Sequence, residues 1–151
     1  LLPSSSGELR RLAEERILAQ LPQLPLGQRL MLARRGSARV AAGLILHGPE
    51  NVARIALDNP FLNESQLLKT LSKQSLPRRI LAGVARHEKW SKLVNIKVAL
   101  LRHSQAPAES AAALATDIPR RDIEDLLGLS QLCESIRDQL RRELARRDQR
   151  E

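Results

Sequence analysis

Four residues of this chain, Leu76-Pro77-Arg78-Arg79, return 42 residues later as Ile118-Pro119-Arg120-Arg121. Arg54-Ile55-Ala56-Leu57 returns as Lys97-Val98-Ala99-Leu100 at an offset of 43, and Leu24-Pro25 makes a weaker third copy. Two independent matches at nearly one offset point to a repeat, and periods of about 40 residues belong to helical repeat architectures. Each such unit is too small to bury its own apolar face, so it must stack on neighbours. Composition agrees with helices. The 151 residues include 29 leucines and 18 alanines, and Phe61 and Trp90 are the only aromatics. Strands prefer β-branched and aromatic side chains, whereas Leu, Ala and Arg are strong helix formers. These totals argue against an all-β fold, and the leucine content argues against disorder despite 28% charged residues. The expected class is all-α, built from short antiparallel helix pairs.

Start and stop signals punctuate the whole chain. Ser6-Gly7-Glu8 opens a first helix with Leu9, Leu12, Ala13 and Ile17 on one face. Pro22 and Pro25 break it, and Pro25 suits the first turn of the next helix. That helix turns Leu26, Leu30 and Ala33 inward and ends at Gly36, expected in a left-handed stop. Ser37 caps a helix carrying Val40, Ala41 and Leu44 that ends at His47-Gly48, and Pro49 starts another that closes at Asn59-Pro60. A capping box, Asn63-Glu64-Ser65-Gln66, leads into Leu67, Leu68 and Leu71. Pro77 opens a helix with Ile80, Leu81 and Val84, and a further helix covers residues 90–102. Pro107 and Pro119 open two more. Ser130 caps a long final helix with Cys133, Ile136, Leu140 and Leu144 on its apolar stripe, where Asp138–Arg142 and Glu143–Arg147 are spaced as i,i+4 ion pairs. The domain plan is a helical cap over residues 1–21, then a repeat domain over residues 22–151 ending in this capping helix. Helices of about ten residues are marginal alone, so packing supplies their stability.

The stretch from Leu24-Pro25-Leu26-Gly27 to Ala33-Arg34-Arg35-Gly36-Ser37, then Ala56-Leu57-Asp58-Asn59-Pro60, then Val98-Ala99-Leu100-Leu101-Arg102-His103, resembles bacterial HEAT-like repeat proteins. It is also similar to the leucine-rich repeat variant class. The resemblance covers residues 22–145 and rests on small and aliphatic residues at packing positions. It implies a HEAT-like right-handed α-solenoid of about three repeats, used as a scaffold. The variant class can carry a cysteine-ligated iron–sulfur cluster. Cys133 is the one cysteine here and cannot ligate such a cluster by itself, so that property does not transfer.

Reactive residues are sparse. His47, His87 and His103 have no metal-ligand spacing, and His47 and His103 follow aliphatic helix ends, where an imidazolium is favoured. Cys133 reads as a small buried hydrophobe, with no histidine placed to activate it. Asp122, Glu124 and Asp125 cluster at a helix start, where negative charge is favourable for its own sake. The glycines form no phosphate-binding loop; Gly43 and Gly83 fall inside helices, where a missing side chain permits close packing. Trp90 reads as packing between repeats, with an exposed partner-binding anchor as the alternative. No catalytic residue, metal or cofactor is expected, and the chain reads as a non-enzyme. A single cysteine fits a reducing compartment, so a cytoplasmic location is expected, and no stretch approaches a membrane span. The start, Leu1-Leu2-Pro3-Ser4-Ser5-Ser6, does not read as a signal peptide. It leaves both a complete chain and the cut end of a longer one open.

Charge carries the functional signal. The net charge is +8, and 20 of the 25 cations are Arg. Residues 22–103 hold 14 cations and 4 anions, while residues 104–151 hold 8 and 10. Arg34, Arg35 and Arg39 gather around Gly36; Arg78, Arg79, Arg86 and Lys89 follow at near-helical spacing; Lys92, Lys97 and Arg102 continue the series. In a solenoid these groups would merge into a basic face over residues 29–102, and Arg suits phosphates and carboxylates. A solvated, arginine-biased surface is the plainer reading of the same residues. Two partners fit a binding face: an acidic protein, or the phosphate backbone of a nucleic acid. With two aromatics in the chain, base stacking has little to work with.

Overall fold

Proline fixes where many of these helices begin. In the computed structural model, which describes residues 3–150, Pro25, Pro49, Pro77 and Pro119 each sit immediately before a helix, with φ between −58° and −71° and an extended ψ. Their rings set φ, and with no N–H they leave no donor unsatisfied there. They thus occupy the capping position, one residue earlier than expected for Pro25. The helices are α1 (Pro3–Gln20), α2 (Leu26–Arg35), α3 (Ala38–His47), α4 (Glu50–Leu57), α5 (Glu64–Leu71), α6 (Arg78–Arg86), α7 (Val94–Arg102), α8 (Ala111–Thr116), α9 (Arg120–Leu127) and α10 (Glu134–Arg150). Short 3₁₀ turns cover Leu21–Gln23, Trp90–Lys92 and Ala108–Ser110. No strand occurs among the described residues, so the chain is all-α. Leu1, Leu2 and Glu151 lie outside the described residues, and with them the very start of the segment read as non-signal.

Capping chemistry is where expected in two places. Ser37 Oγ accepts the Val40 N–H at 3.3 Å, and Asn63 Oδ1 accepts the Gln66 N–H at 2.8 Å. Elsewhere the boundaries moved. α1 starts at Pro3, before Ser6. The 90–102 helix is broken at Leu93, whose backbone is extended. α10 starts at Glu134, with Cys133 just before it accepting the Arg137 N–H, so Ser130 lies in the preceding turn and caps nothing. Gly36 is also not left-handed: its φ is −68°. A Cβ there would lie 2.5 Å from the Leu32 carbonyl oxygen, which its own N–H bonds, so close approach is what calls for glycine.

The chain divides into two compact units, residues 1–70 and 71–151. In the first, α2, α3 and α4 pack through small residues: Ala33, Ala41, Leu44, Val52, Ala53 and Ala56 are all inaccessible to solvent. Gly43 of α3 lets Leu18 of α1 approach, since a Cβ would collide with that side chain. The outer end of α1 is less covered. Leu9, Leu12 and Ala13 are exposed and Ile17 half-buried, as is Leu30 of α2, while Leu26 is exposed. The apolar stripe was legible, but nothing described in this unit lies over it. In the second unit, Leu81, Val84, Trp90, Ile96, Leu100, Leu101, Ile123, Ile136 and Leu140 form the core. Trp90 takes the packing role, with Lys89 Nζ 4.4 Å from its ring centre. Gly83 faces open space, so it permits no close contact.

One turn recurs through both units. At Asn59–Leu62, Lys73–Leu76, His103–Ala106, Ala115–Ile118 and Leu129–Leu132, the first carbonyl accepts the fourth N–H, at 3.0–3.5 Å. The fourth residue is buried in every case, and Asn63, Pro77, Pro107, Pro119 or Cys133 follows it. Side chains reach back from later segments to close the carbonyls these helix ends leave open. Asn59 Nδ2 donates to the Ala33 and Gly36 carbonyls at 2.9 and 3.0 Å, while its Oδ1 accepts the Phe61 N–H at 2.7 Å. His103, 44 residues on, does the same: Nδ1 accepts the Gln105 N–H at 2.9 Å, and Nε2 lies 2.8 Å from the Lys73 carbonyl. Since a carbonyl only accepts, Nε2 is the donor in this contact. Arg137 donates to the Leu127 and Leu129 carbonyls, and Arg147 to those of Ala115, Thr116 and Ile118.

Candidate functional site

The candidate basic residues fall into both units. In the first, Arg34 and Arg35 occupy the last turn of α2, exposed and without an ion pair among the described residues. Arg39, in the first turn of α3, is committed to Glu14 of α1 at 3.5 Å. In the second unit, Arg78, Arg79 and Arg86 are exposed on α6; Arg79 and Arg86 are two turns apart and share a stripe. Arg78 pairs with Glu109 at 3.5 Å, an exposed contact worth about 0–1 kcal/mol. Lys89 covers Trp90. Lys92 and Arg102 are exposed, and with Arg86 they have no ion-pair partner among the described residues.

Lys97 is different. It is buried within α7, on the side of Leu93, Leu100 and Leu101, and its Nζ lies 3.4 Å from Asp117 Oδ2. The long aliphatic stem packs in the core while the ammonium reaches the solvent-exposed carboxylate just after α8. It does not belong to an exposed basic face, and its place one turn before Leu101 was the signal for that. A second correction concerns emphasis. Arg34, Arg35, Arg86 and Arg102 all lie in last turns, where positive charge is favoured by the carbonyl ends of helices. Part of the basic pattern therefore serves the helices themselves. Even so, residues 65–108 hold nine Lys and Arg against one carboxylate, Glu88.

Most groups able to do chemistry make contacts within the fold. Among the described residues no cluster of three or more His, Cys, Asp and Glu could hold a metal ion, and no helix is long and apolar enough to cross a membrane. His47 ends α3, exposed; His87 Nδ1 accepts the Lys89 N–H at 3.1 Å. Cys133 is half-buried, not on the α10 stripe, and its Sγ lies 3.2 Å from Ser135 Oγ. That hydrogen bond and the Ser135 backbone lower its thiol pKa. Glu143 is buried on α10. Hydrogen bonds from Arg146, then from Arg147, hold its carboxyl below the usual range, against the opposing pull of burial. The expected Glu143–Arg147 pair is present at 3.1 Å; Asp138 instead meets Arg141 at 3.9 Å. One surface escaped the sequence reading. Ile17 and Gln20 of α1, Leu24, and Gln28, Met31 and Leu32 of α2 line an open groove of about 350 Å³.

Comparison with protein-family models, with curated proteins and with solved structures finds no match to this chain.

Proposed function

We propose that this chain is a non-enzymatic helical-repeat scaffold of HEAT-like or leucine-rich repeat variant type, a right-handed α-solenoid that docks an acidic protein in the cytoplasm. The observation that carries the reading is the set Arg86, Lys92 and Arg102: three exposed cations with no ion-pair partner among the described residues, in a stretch with a single carboxylate. Charges left unneutralised attract a ligand of opposite sign. The helix–turn pattern, with turns recurring 42 and 44 residues apart, supports a repeat. Sequence-independent binding to a phosphate backbone is the second reading, favoured by the same cations. Trp90 is buried, which leaves Phe61 as the exposed aromatic and little surface for base stacking.

The test uses fluorescent polyglutamate and fluorescent random duplex DNA, titrated at several salt concentrations with wild type and with Arg86→Glu/Lys92→Glu/Arg102→Glu. Polyglutamate binding that weakens with salt and disappears in the variant is the expected result. DNA binding that is tighter and falls more steeply with salt selects the second reading. If neither ligand binds wild type at low salt, the cations are a solvated surface and both readings fail.

A further inference from the structure

We infer that the groove between α1 and α2 is a docking site for an amphipathic, acidic helix of a partner protein. It draws on Arg35 of the expected basic series but on none of Arg86, Lys92 and Arg102, and so does not depend on the reading above.

The groove is apolar at its floor and open to solvent. Ile17, Leu24, Met31 and Leu32 line it with Gln20 and Gln28, and Met31 is 62% exposed. Met31 in water, with the half-buried Ile17, Leu24 and Leu32 along the same concave wall, marks a place for another molecule.

Charge selects the occupant. Ile17 and Gln20 define the groove side of α1, and Arg10 and Ala13 precede Ile17 by two turns and one turn, with Arg16 at the flank. On α2, Arg35 lies two turns beyond Gln28 on the same side. Arg10, Arg16 and Arg35 are exposed and have no ion-pair partner among the described residues. The carboxylates of α1 are elsewhere. Glu8 and Glu15 fall on the opposite side of the helix from Ile17, and Glu14 turns to Arg39 of α3. An apolar channel edged by unpaired guanidinium groups therefore fits a ligand with a hydrophobic stripe flanked by Asp and Glu. A second copy of the chain is disfavoured, because it brings +8 against +8.

Backbone chemistry selects the ligand's conformation. Both walls are helices, whose backbone groups bond within themselves, so the groove has no free edge to pair with an extended peptide. A bound segment must satisfy its own N–H and C=O groups, which a helix does. Its anchors would recur at i, i+3 or i+4, and i+7.

The probe is a stapled, fluorescent helical peptide with leucines on one face and glutamates on the other; a scrambled peptide of the same composition is the control. The expected result is saturable binding to wild type, with affinity about tenfold lower for the scrambled peptide and for Met31→Glu. Arg10→Glu/Arg35→Glu should weaken binding and flatten its salt dependence. Met31 is exposed, so Met31→Glu should keep the wild-type far-UV circular dichroism, which is measured alongside. Arg86→Glu/Lys92→Glu/Arg102→Glu should bind like wild type. No saturable binding, equal affinity for the scrambled peptide, or an unaffected Met31→Glu overturns the inference. So does a wild-type dimer in sedimentation that Met31→Glu dissociates, which would make the occupant a second copy. Loss of peptide binding in the Arg86/Lys92/Arg102 variant alone would move the site to the basic face and leave the scaffold reading standing.

Discussion

Asn59→Asp exchanges one NH2 group for oxygen and keeps the shape of the side chain. It isolates the hydrogen-bonding role of a residue that is 2% exposed. The change keeps the acceptor for the Phe61 N–H and removes both donors, to Ala33 and Gly36. A buried acceptor deprived of its donor costs about 1–3 kcal/mol. The Ala33 contact is buried and the Gly36 contact partly so, which puts the pair at about 2–4 kcal/mol. A carboxylate aimed at two carbonyl oxygens adds repulsion, for a total of about 3–5 kcal/mol at neutral pH. That is a large share of the stability of an ordinary domain. The pH dependence is the sharper signature. Burial and the facing carbonyls raise the folded-state pKa of the introduced carboxyl above its unfolded value of about 3.9. Its destabilisation is therefore complete above the folded pKa, shrinks as pH falls through it, and is least below about 4, where the O–H again offers one donor. Urea unfolding of wild type and variant, followed by far-UV circular dichroism across this range, gives the difference curve. A pure packing role predicts no difference at any pH. A variant as stable as wild type at neutral pH, or a deficit that does not shrink in acid, would refute the reasoning.

Other expectations follow from burial and charge. Leu100→Ala and Leu126→Ala, at 0% and 2% exposure, should each cost about 2–5 kcal/mol, whereas Leu12→Ala should change stability by less than about 0.5 kcal/mol. Thermal melts of the first two that match wild type would remove those residues from the core. Glu143 has a depressed folded-state pKa, so the stability it adds is present above its unfolded value of about 4.3 and is lost as pH falls through the folded one. Glu143→Gln should lower the midpoint at neutral pH and give a flatter acid limb, checked by melting both proteins over that range; parallel curves would count against the Arg146–Glu143–Arg147 cluster.

The helical class and most boundaries were legible because they depend on local chemistry. Proline restricts φ wherever it stands, and Ser37 and Asn63 cap by bonding residues three positions away. Where the sequence misled, the deciding factor was a close approach or a distant partner. Gly36 is set by the Leu32 carbonyl and Val40 rather than by handedness, and Lys97 by Asp117, 20 residues on. His103 read from sequence only as a helix-end histidine, while its contact with the Lys73 carbonyl, 30 residues back, ties it to an earlier helix end. The groove could not be read from periodicity at all. An apolar stripe on α1 looks the same whether or not another element covers it, and Leu9 and Leu12 are uncovered.

The back-reaching side chains impose an order in time as the chain is made. Asn59 meets a carbonyl made 26 residues earlier, His103 one made 30 earlier, and Arg147 carbonyls made 29 to 32 earlier. At a synthesis rate of about 5–20 residues per second, each of these helix ends waits roughly one to six seconds for its donor. During that interval water must serve those carbonyls, and each end closes only when the following segment arrives. Within each unit the protein is thus closed from behind, one helix end at a time, and a pause in translation between acceptor and donor would prolong the exposed state.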